Sequence, residues 1–193
     1  MIAIAVYCGS ASPADPVYIE AARNVGRTLA ERGITVVYGG GKLGLMGAVA
    51  DAALAAGGKV IGIIPEALVS SEVAHTGCTE LHVVKNMHER KQAFTDLSDG
   101  FINLPGGVGT LDEMWEAVSW SQRGYHSKPV GVLNIAGYYD HLIAFNAHMA
   151  SVGFVRDAHK GILLVADELN ELLHKMTGYV PHKTIFQMKA SDL

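Results

Sequence analysis

Cysteine, basic residues and long apolar runs are all scarce in this sequence. Cys8 and Cys78 are the only cysteines among 193 residues, too few for a disulfide framework. No apolar run approaches the roughly 18 residues that a membrane-spanning helix needs. The opening residues MIAIAVYCGS lack the basic start of a signal peptide. These absences predict a cytoplasmic protein that has no membrane partner.

The charge balance excludes a second class of partner. Lys and Arg number 15 against 19 Asp and Glu, which gives a formal net charge of −4. Binding to a nucleic-acid polymer depends on clustered basic residues that release counterions, so we expect no such partner. A small anion remains compatible with this composition. The 49% hydrophobic content predicts one globular domain over residues 1–178, followed by a peripheral tail over 179–193.

Short apolar runs alternate with helical patterns along the whole chain. Most runs lack polar alternation, which is typical of parallel strands covered by helices on both faces. The order therefore predicts a doubly wound α/β domain, in which ligands bind at the carboxyl ends of the strands. The expected strands are 2–7, 34–38, 59–64, 81–84, 100–104, 129–134 and 161–166, and the expected helices are about 16–32, 44–56, 87–98, 109–123, 139–151 and 167–177.

Glycines follow the first two expected strands. The stretch GGGKLGLMG (39–47) satisfies G-x-G-x-x-G, but it follows the second strand, and Glu66 is the only candidate for a ribose-binding acid. It also fails the P-loop pattern, because Leu43 stands where Ser or Thr would hold magnesium. The turn Cys8-Gly9-Ser10 either contacts a ligand or simply leads into the first helix.

The stretch LPGGVGTLDEMWEA (104–117) carries the strongest signal. Gly106, Gly107 and Gly109 allow positive φ and close approach, and Thr110 is a candidate helix cap. The free amides of a helix start here would bind one phosphate. The acids allow two interpretations, since Glu113 could complete a T-x-x-E capping box or serve chemistry.

The segment NMHERK (86–91) supplies positive charge. Asn86 and Glu89 match a cap pair, which places Arg90 and Lys91 in the first turns of a helix. Cations there oppose the helix dipole by about 0.3–1 kcal/mol each. The pair is therefore either a solvated face or the partner of a phosphate bound at the glycine loop.

Other constellations predict little. None of the nine histidines forms H-E-x-x-H or a Cys/His ligand set, so we expect no metal site. Ser10 lacks the G-x-S-x-G context of a hydrolase nucleophile. Met114, Trp115 and Trp120 on the helix after the glycine loop are expected in the core or at a dimer interface.

Three motifs together resemble the LOG ("Lonely guy") family of cytokinin riboside 5′-monophosphate phosphoribohydrolases, often misnamed lysine decarboxylases. They are PGGxGTxxE at 105–113, M-x-x-R-K at 87–91 and GGGxxGLMG at 39–47, within a likeness that extends from Tyr7 to about Lys175. The resemblance implies a Rossmann-like, usually dimeric enzyme without a redox cofactor. It would hydrolyse the N-glycosidic bond of an adenosine-type 5′-monophosphate.

The resemblance also implies site residues. Arg90 and Glu113 would be the catalytic pair. The positions implied to bind the nucleotide are Glu72, Lys91, Gly107, Val108, Gly109, Thr110, Leu111, Asp112 and Ser119. Val108, Asp112 and Ser119 depart mildly from the residues that family members often carry, which leaves the preferred base and N6 substituent open.

Such a hydrolysis passes through an oxocarbenium-like state, which a carboxylate beside the ribose stabilises. Whether Glu113 would act as nucleophile, base or electrostatic stabiliser stays open, and Arg90 is too basic to donate a proton readily. A non-catalytic carrier of a nucleotide or a molybdopterin-type cofactor could use the same fold. A nicotinamide oxidoreductase would depend on the 39–47 motif alone, and no residues identify the pyridoxal site of a decarboxylase.

Overall fold

The computed structural model describes residues 1–69 and 73–187. Its strands and helices alternate along the chain, apart from the two successive strands at 60–65 and 80–84, and each element expected from the sequence is present within a few residues of its predicted bounds. The strands are β1 Ala3–Tyr7, β2 Thr35–Tyr38, β3 Val60–Pro65, β4 Glu80–Val84, β5 Gly100–Asn103, β6 Val130–Leu133 and β7 Leu163–Ala166. The helices are α1 Pro16–Glu31, α2 Gly44–Ala55, α3 Met87–Leu97, α4 Val108–Arg123, α5 Asp140–Ser151 and α6 Leu169–Thr177.

All seven strands form one parallel sheet in the order β4-β3-β2-β1-β5-β6-β7. The chain builds outward from β1 to β4 and then returns to the other side of β1 to begin β5. This reversal is the switch point of a doubly wound sheet, where loops diverge and leave a crevice for a ligand. The predicted α/β Rossmann-like class is confirmed.

Each face of the sheet is covered by helices, as the apolar strands predict. Along β1, Ile4 and Val6 pack in the cluster that includes residues of α1, α2 and α6, whereas Ala5 and Tyr7 pack in the cluster that includes Phe94 of α3. Every one of these side chains is at least 96% buried. The strands are therefore rigid supports for the loops at their carboxyl ends.

The predicted C-terminal tail packs on the domain. The described part of the predicted tail, 179–187, lies against the end of α4, where Ile185 N donates to Gln122 O at 3.1 Å and His182 Nε2 lies 3.1 Å from Ser121 O. Within the two described ranges, no helix has the length and apolar character to cross a membrane.

Candidate active site

A cavity of about 300 Å³ lies where β1 and β5 end. The turn after β1 contributes Cys8, Gly9 and Ser10, and the loop and helix after β5 contribute residues 107–110. Arg90 and Glu113 also line it, so the structure brings together the two residues that the family resemblance implies to be catalytic. The turn after β1 is thus part of the site wall as well as a connection to α1.

The wall nearest β5 is the start of α4. The helix begins at Val108 with Gly107 as N-cap, and no side chain of the described residues caps it. The amides of Val108, Gly109 and Thr110 occupy the first three helical positions, which have no acceptor within the helix. The dipole adds partial positive charge at this end. The geometry suits an anion of phosphate size, as predicted from the glycines.

The prediction that Thr110 caps α4 is wrong. The helix begins two residues earlier than Thr110, because Gly107 already has the extended conformation of an N-cap and Val108 is helical. The Thr110 side chain instead packs against Gly106, where a Cβ would lie 2.2 Å from Thr110 Oγ1. Glu113 is then the sixth helical residue, too far along for a capping box, so that interpretation of its carboxylate is also wrong.

The glycines of this loop also differ from expectation. Gly106, Gly107 and Gly109 all avoid positive φ. Gly106 is required for close packing, whereas a Cβ at Gly107 or Gly109 would meet no atom of residues 1–69 or 73–187 within 4 Å. These two glycines therefore leave the main chain open to an approaching group.

Arg90 enters the cavity from α3. The predicted cap pair is confirmed, since Asn86 Oδ1 accepts from Glu89 N at 3.0 Å and α3 begins at Met87. Arg90 Nε donates to Ile63 O at 3.1 Å, and Nη2 donates to Gly39 O at 3.0 Å. Two main-chain carbonyls thus offset the desolvation of a buried guanidinium and fix its plane.

Arg90 and Glu113 form an ion pair inside the cavity. Arg90 Nη1 lies 3.6 Å from Glu113 Oε1, and the side chains are only 7% and 12% exposed. Burial, and then the Glu113 charge, raise the pKa of the Cys8 thiol and of the Tyr7 phenol, so both stay neutral near pH 7. Among the described residues that line the cavity, Arg90 and Glu113 are the two that carry charge.

The glycine stretch 39–47 serves this site through packing. A Cβ at Gly39 would lie 2.4 Å from Arg90 Nη2, so only glycine leaves room for the guanidinium. At the start of α2, the amides of Leu45 and Met46 both donate to Gly9 O, at 3.1 and 3.3 Å. A pyrophosphate would need those amides, so the geometry argues against the dinucleotide-binding interpretation.

Four of the implied nucleotide-binding residues that the structure describes lie outside this cavity, namely Lys91, Leu111, Asp112 and Ser119. Lys91 Nζ bonds Asp112 Oδ2 at 2.9 Å and Glu116 Oε2 at 3.0 Å. Partial burial would lower the Lys91 pKa, but the bonds to and charges of these two carboxylates outweigh it and raise the pKa. Asp112 and Ser119 line a separate groove of about 680 Å³ beside Trp115 and Trp120.

The remaining predicted residues either belong to the core or lie beyond the described ranges. Leu111 packs against the buried cluster of Met114, Val132 and Tyr139, and Met114 is fully buried in this core. Glu72 lies outside the residues that the structure describes.

Met46 and Glu116 were missed by sequence reasoning. Met46 lines the cavity from α2, and Glu116 pairs with Lys91. The signal for Glu116 is its position, because it follows Asp112 by four residues and therefore lies on the same helix face. Met46 has no comparable signal, since a methionine in an apolar helix is ordinarily a core residue.

Comparisons with known proteins agree with the motifs. A family model described as "possible lysine decarboxylase" matches residues 46–176. The chain is 45% identical over 178 residues to the probable cytokinin riboside 5′-monophosphate phosphoribohydrolase LOGL9 of Oryza sativa subsp. japonica, which covers 92% of this chain and 78% of that protein. It is 40% identical over 191 residues to cytokinin riboside 5′-monophosphate phosphoribohydrolase LOG1 of Arabidopsis thaliana, with 98% and 90% covered.

Solved structures share the fold at lower identity. The X-ray structure of TM1055 matches with a TM-score of 0.71 and 22% identity. The match covers 93% of this chain and 100% of TM1055. A molybdenum cofactor binding protein from Rippkaea orientalis has a TM-score of 0.65 and 22% identity, with 91% and 94% covered. These two likenesses concern the architecture alone.

Proposed function

Because the chain belongs to the LOG family of cytokinin riboside 5′-monophosphate phosphoribohydrolases, we propose that it hydrolyses the N-glycosidic bond of adenosine-type 5′-monophosphates. Water adds to C1′ of the ribose, the bond from C1′ to the base nitrogen breaks, and the base leaves with a proton. The products are the free base, adenine or a cytokinin, and ribose 5-phosphate. The observation that carries the proposal is the largely buried Arg90–Glu113 pair beside a helix start that no described side chain caps.

The 5′-phosphate would bind at the start of α4. The amides of residues 108–110 and the helix dipole supply the positive potential, and Gly107 and Gly109 let the phosphate oxygens approach the main chain. Charge-assisted hydrogen bonds of this kind are worth about 1.5–3 kcal/mol each. Two or three of them would make the phosphate the principal anchor of the substrate.

Glu113 would then act on the ribose. It lies in the second turn of α4, beyond the amides that would hold the phosphate, and its side chain, only 12% exposed, lines the same cavity. As the base departs, positive charge spreads over C1′ and the ring oxygen, and a carboxylate there lowers the barrier. The same carboxylate can orient or deprotonate the attacking water.

Arg90 would position the substrate and Glu113. Its guanidinium is held by two carbonyls and cannot readily release a proton, so its role is charge and geometry rather than acid catalysis. It would hold the Glu113 carboxylate in one orientation and contact phosphate or ribose oxygens. Asp112 and Ser119 would contact the nucleotide from the groove beside the cavity, and Lys91 would act next to them, where it pairs with Asp112.

We also propose a homodimer, as in the family generally. Trp115 and Trp120 line the 680 Å³ groove on α4, and Tyr125 at its edge is 70% exposed. Aromatic residues of this kind are enriched at the core of protein interfaces. Sedimentation equilibrium at micromolar concentration should give twice the 20.5 kDa chain mass, and a monomer mass would contradict the proposal.

A panel of nucleotides tests the reaction. AMP and N6-prenyl AMP should release free base and ribose 5-phosphate, detected by chromatography, whereas adenosine should react at least about a hundredfold more slowly because it lacks the phosphate anchor. Comparing the two monophosphates ranks plain against prenylated substrates. Tight AMP binding with no release of base from either would favour a carrier instead.

A further inference from the structure

Two adjacent tyrosines hold the loop that leads into α4. Tyr139 Oη donates to Leu104 O at 2.6 Å, and Tyr138 Oη donates to Gly106 O at 2.7 Å. Both acceptors belong to the four residues between β5 and the start of α4. Burial raises the pKa of Tyr139, so its hydroxyl keeps the proton that it donates.

The carbonyl between these two is held as well. Gly9 N donates to Pro105 O at 3.1 Å, so three consecutive carbonyls of the loop are fixed by donors outside it. A trans peptide unit directs its N–H opposite to its C=O. Fixing Gly106 O toward Tyr138 therefore turns the Gly107 amide away from Tyr138, and Gly107 lines the cavity.

The turn that carries the tyrosines is itself strained and braced. Ala136 has φ of 50° and Gly137 has φ of 70°, and the former is unfavourable for a residue with a Cβ. Buried Asn134 holds the turn, because its Oδ1 accepts from Tyr139 N at 2.8 Å and its Nδ2 donates to Asp140 Oδ1 at 2.9 Å. Strain of this kind persists only where the surroundings determine it, which marks the turn as a built support.

We propose that Tyr138 and Tyr139 are positioning residues for 5′-phosphate recognition, acting through the carbonyls of Gly106 and Leu104. This inference rests on the proposed function. The two hydroxyls orient the loop so that the Gly107 amide and the first amides of α4 converge on one anion. Neither tyrosine lines the catalytic cavity, so their contribution would be to phosphate binding rather than to bond cleavage.

The test removes one hydroxyl at a time. Tyr138→Phe and Tyr139→Phe delete the donors and leave the rings, and Tyr179→Phe is the matched control, because its hydroxyl bonds His182 Nδ1 at 2.9 Å in the tail. Calorimetry measures the binding of AMP and of ribose 5-phosphate. For AMP, each tyrosine variant is combined with Glu113→Gln, so that the ligand is not hydrolysed during the measurement. Turnover of AMP and of adenosine is measured in the otherwise unchanged protein.

Each tyrosine variant should weaken ribose 5-phosphate binding by about tenfold, the loss of one well-oriented charge-assisted hydrogen bond. The KM for AMP should rise similarly while kcat changes less, and the slow turnover of adenosine should stay unchanged. Tyr179→Phe should alter none of these values. A role limited to stability would lower the melting temperature and leave the ratio of AMP to adenosine turnover as it was.

Two results would overturn parts of the reasoning separately. If the unaltered protein binds ribose 5-phosphate and both tyrosine variants bind it equally well, the positioning role is wrong while the proposed reaction stands. If the unaltered protein binds neither ribose 5-phosphate nor AMP, the proposed function fails. Should Tyr139→Phe not fold, half-exposed Tyr138 still provides the decision.

Discussion

Replacing Glu113 by Gln separates chemistry from structure at the proposed catalytic carboxylate. The change keeps the size of the side chain and removes its charge. Because Glu113 is the sixth residue of α4, the substitution removes no helix cap. Arg90 keeps its bonds to the carbonyls of Ile63 and Gly39, so we expect a loss of about 1–2 kcal/mol in the free energy of unfolding.

The effect on turnover should be much larger. A carboxylate about 4 Å from a unit positive charge is worth about 4 kcal/mol at an effective dielectric constant near 20. The charge that develops on the ribose is only partial, and the positive charge of Arg90, 3.6 Å from Glu113, weakens the effect of the carboxylate. We therefore expect Glu113 to stabilise the transition state by about 3 kcal/mol. Each 1.4 kcal/mol is tenfold, which predicts a fall in kcat of at least about a hundredfold.

The assay measures kcat for AMP by chromatography and AMP affinity by calorimetry. We expect kcat to fall and affinity to change far less, because in the proposed binding mode the main-chain amides of α4 would hold the phosphate. Glu171→Gln is the control, since it neutralises a carboxylate that pairs with Lys175 on α6, outside the cavity and the groove. A folded Glu113→Gln protein with unchanged kcat would refute the catalytic assignment.

Three further predictions address the packing that supports Arg90, the pH dependence of folding stability, and the need for a metal or cofactor. Gly39→Ala should displace Arg90 and reduce turnover at least about tenfold with the fold intact, whereas Gly161→Ala, where a Cβ meets no atom within 4 Å, should not; equal activity of the two would contradict the packing argument. Burial lowers the His126 pKa from 6.5 to about 4, so the unfolded chain binds a proton first and stability should fall as the pH drops from 6.5 toward 4. Urea denaturation at pH 7.5 and 5 checks this, and a His126→Gln variant with the same pH dependence would refute it. Activity should survive EDTA and need no nicotinamide, and restoration by zinc or magnesium after chelation would show a missed metal site.

The architecture was largely predictable because its signals are local. The runs IAIAVY (2–7) and KVIGII (59–64) place apolar residues on both faces, which favours a parallel sheet covered by helices on each side. The Asn86 cap is also local, since it involves residues three apart. The order of strands across the sheet is a tertiary property, and no run of residues encodes it directly.

The start of α4 was misplaced because tertiary contacts decide it. In sequence, Gly-Gly-Val-Gly looks like loop until Thr110 offers a capping hydroxyl. In the fold, Tyr138 and Gly9 N hold the preceding carbonyls, and the helix begins at Val108 instead. The N-cap therefore lies at Gly107, three residues before Thr110, and Glu113 becomes a cavity side chain instead of part of a capping box.

The direction of Lys91 could have been predicted and was not. Successive helical residues point about 100° apart, so Arg90 and Lys91 face different sides of α3. Arg90 is buried in the cavity wall, and Lys91 meets carboxylates of α4 outside it. Treating the adjacent pair as one basic patch ignored this rotation.

The support of Arg90 by main-chain atoms constrains how this site can change through evolution. The two acceptors are the carbonyls of Ile63 and Gly39, and every residue type supplies a carbonyl. Drift in the strand that contains Ile63 can therefore alter core packing without losing an acceptor. Position 39, in contrast, has to be glycine, since the Cβ of any other residue would clash with the Arg90 guanidinium. Homologous chains that keep this glycine and the arginine can vary widely around them and still hold the charge at the same point.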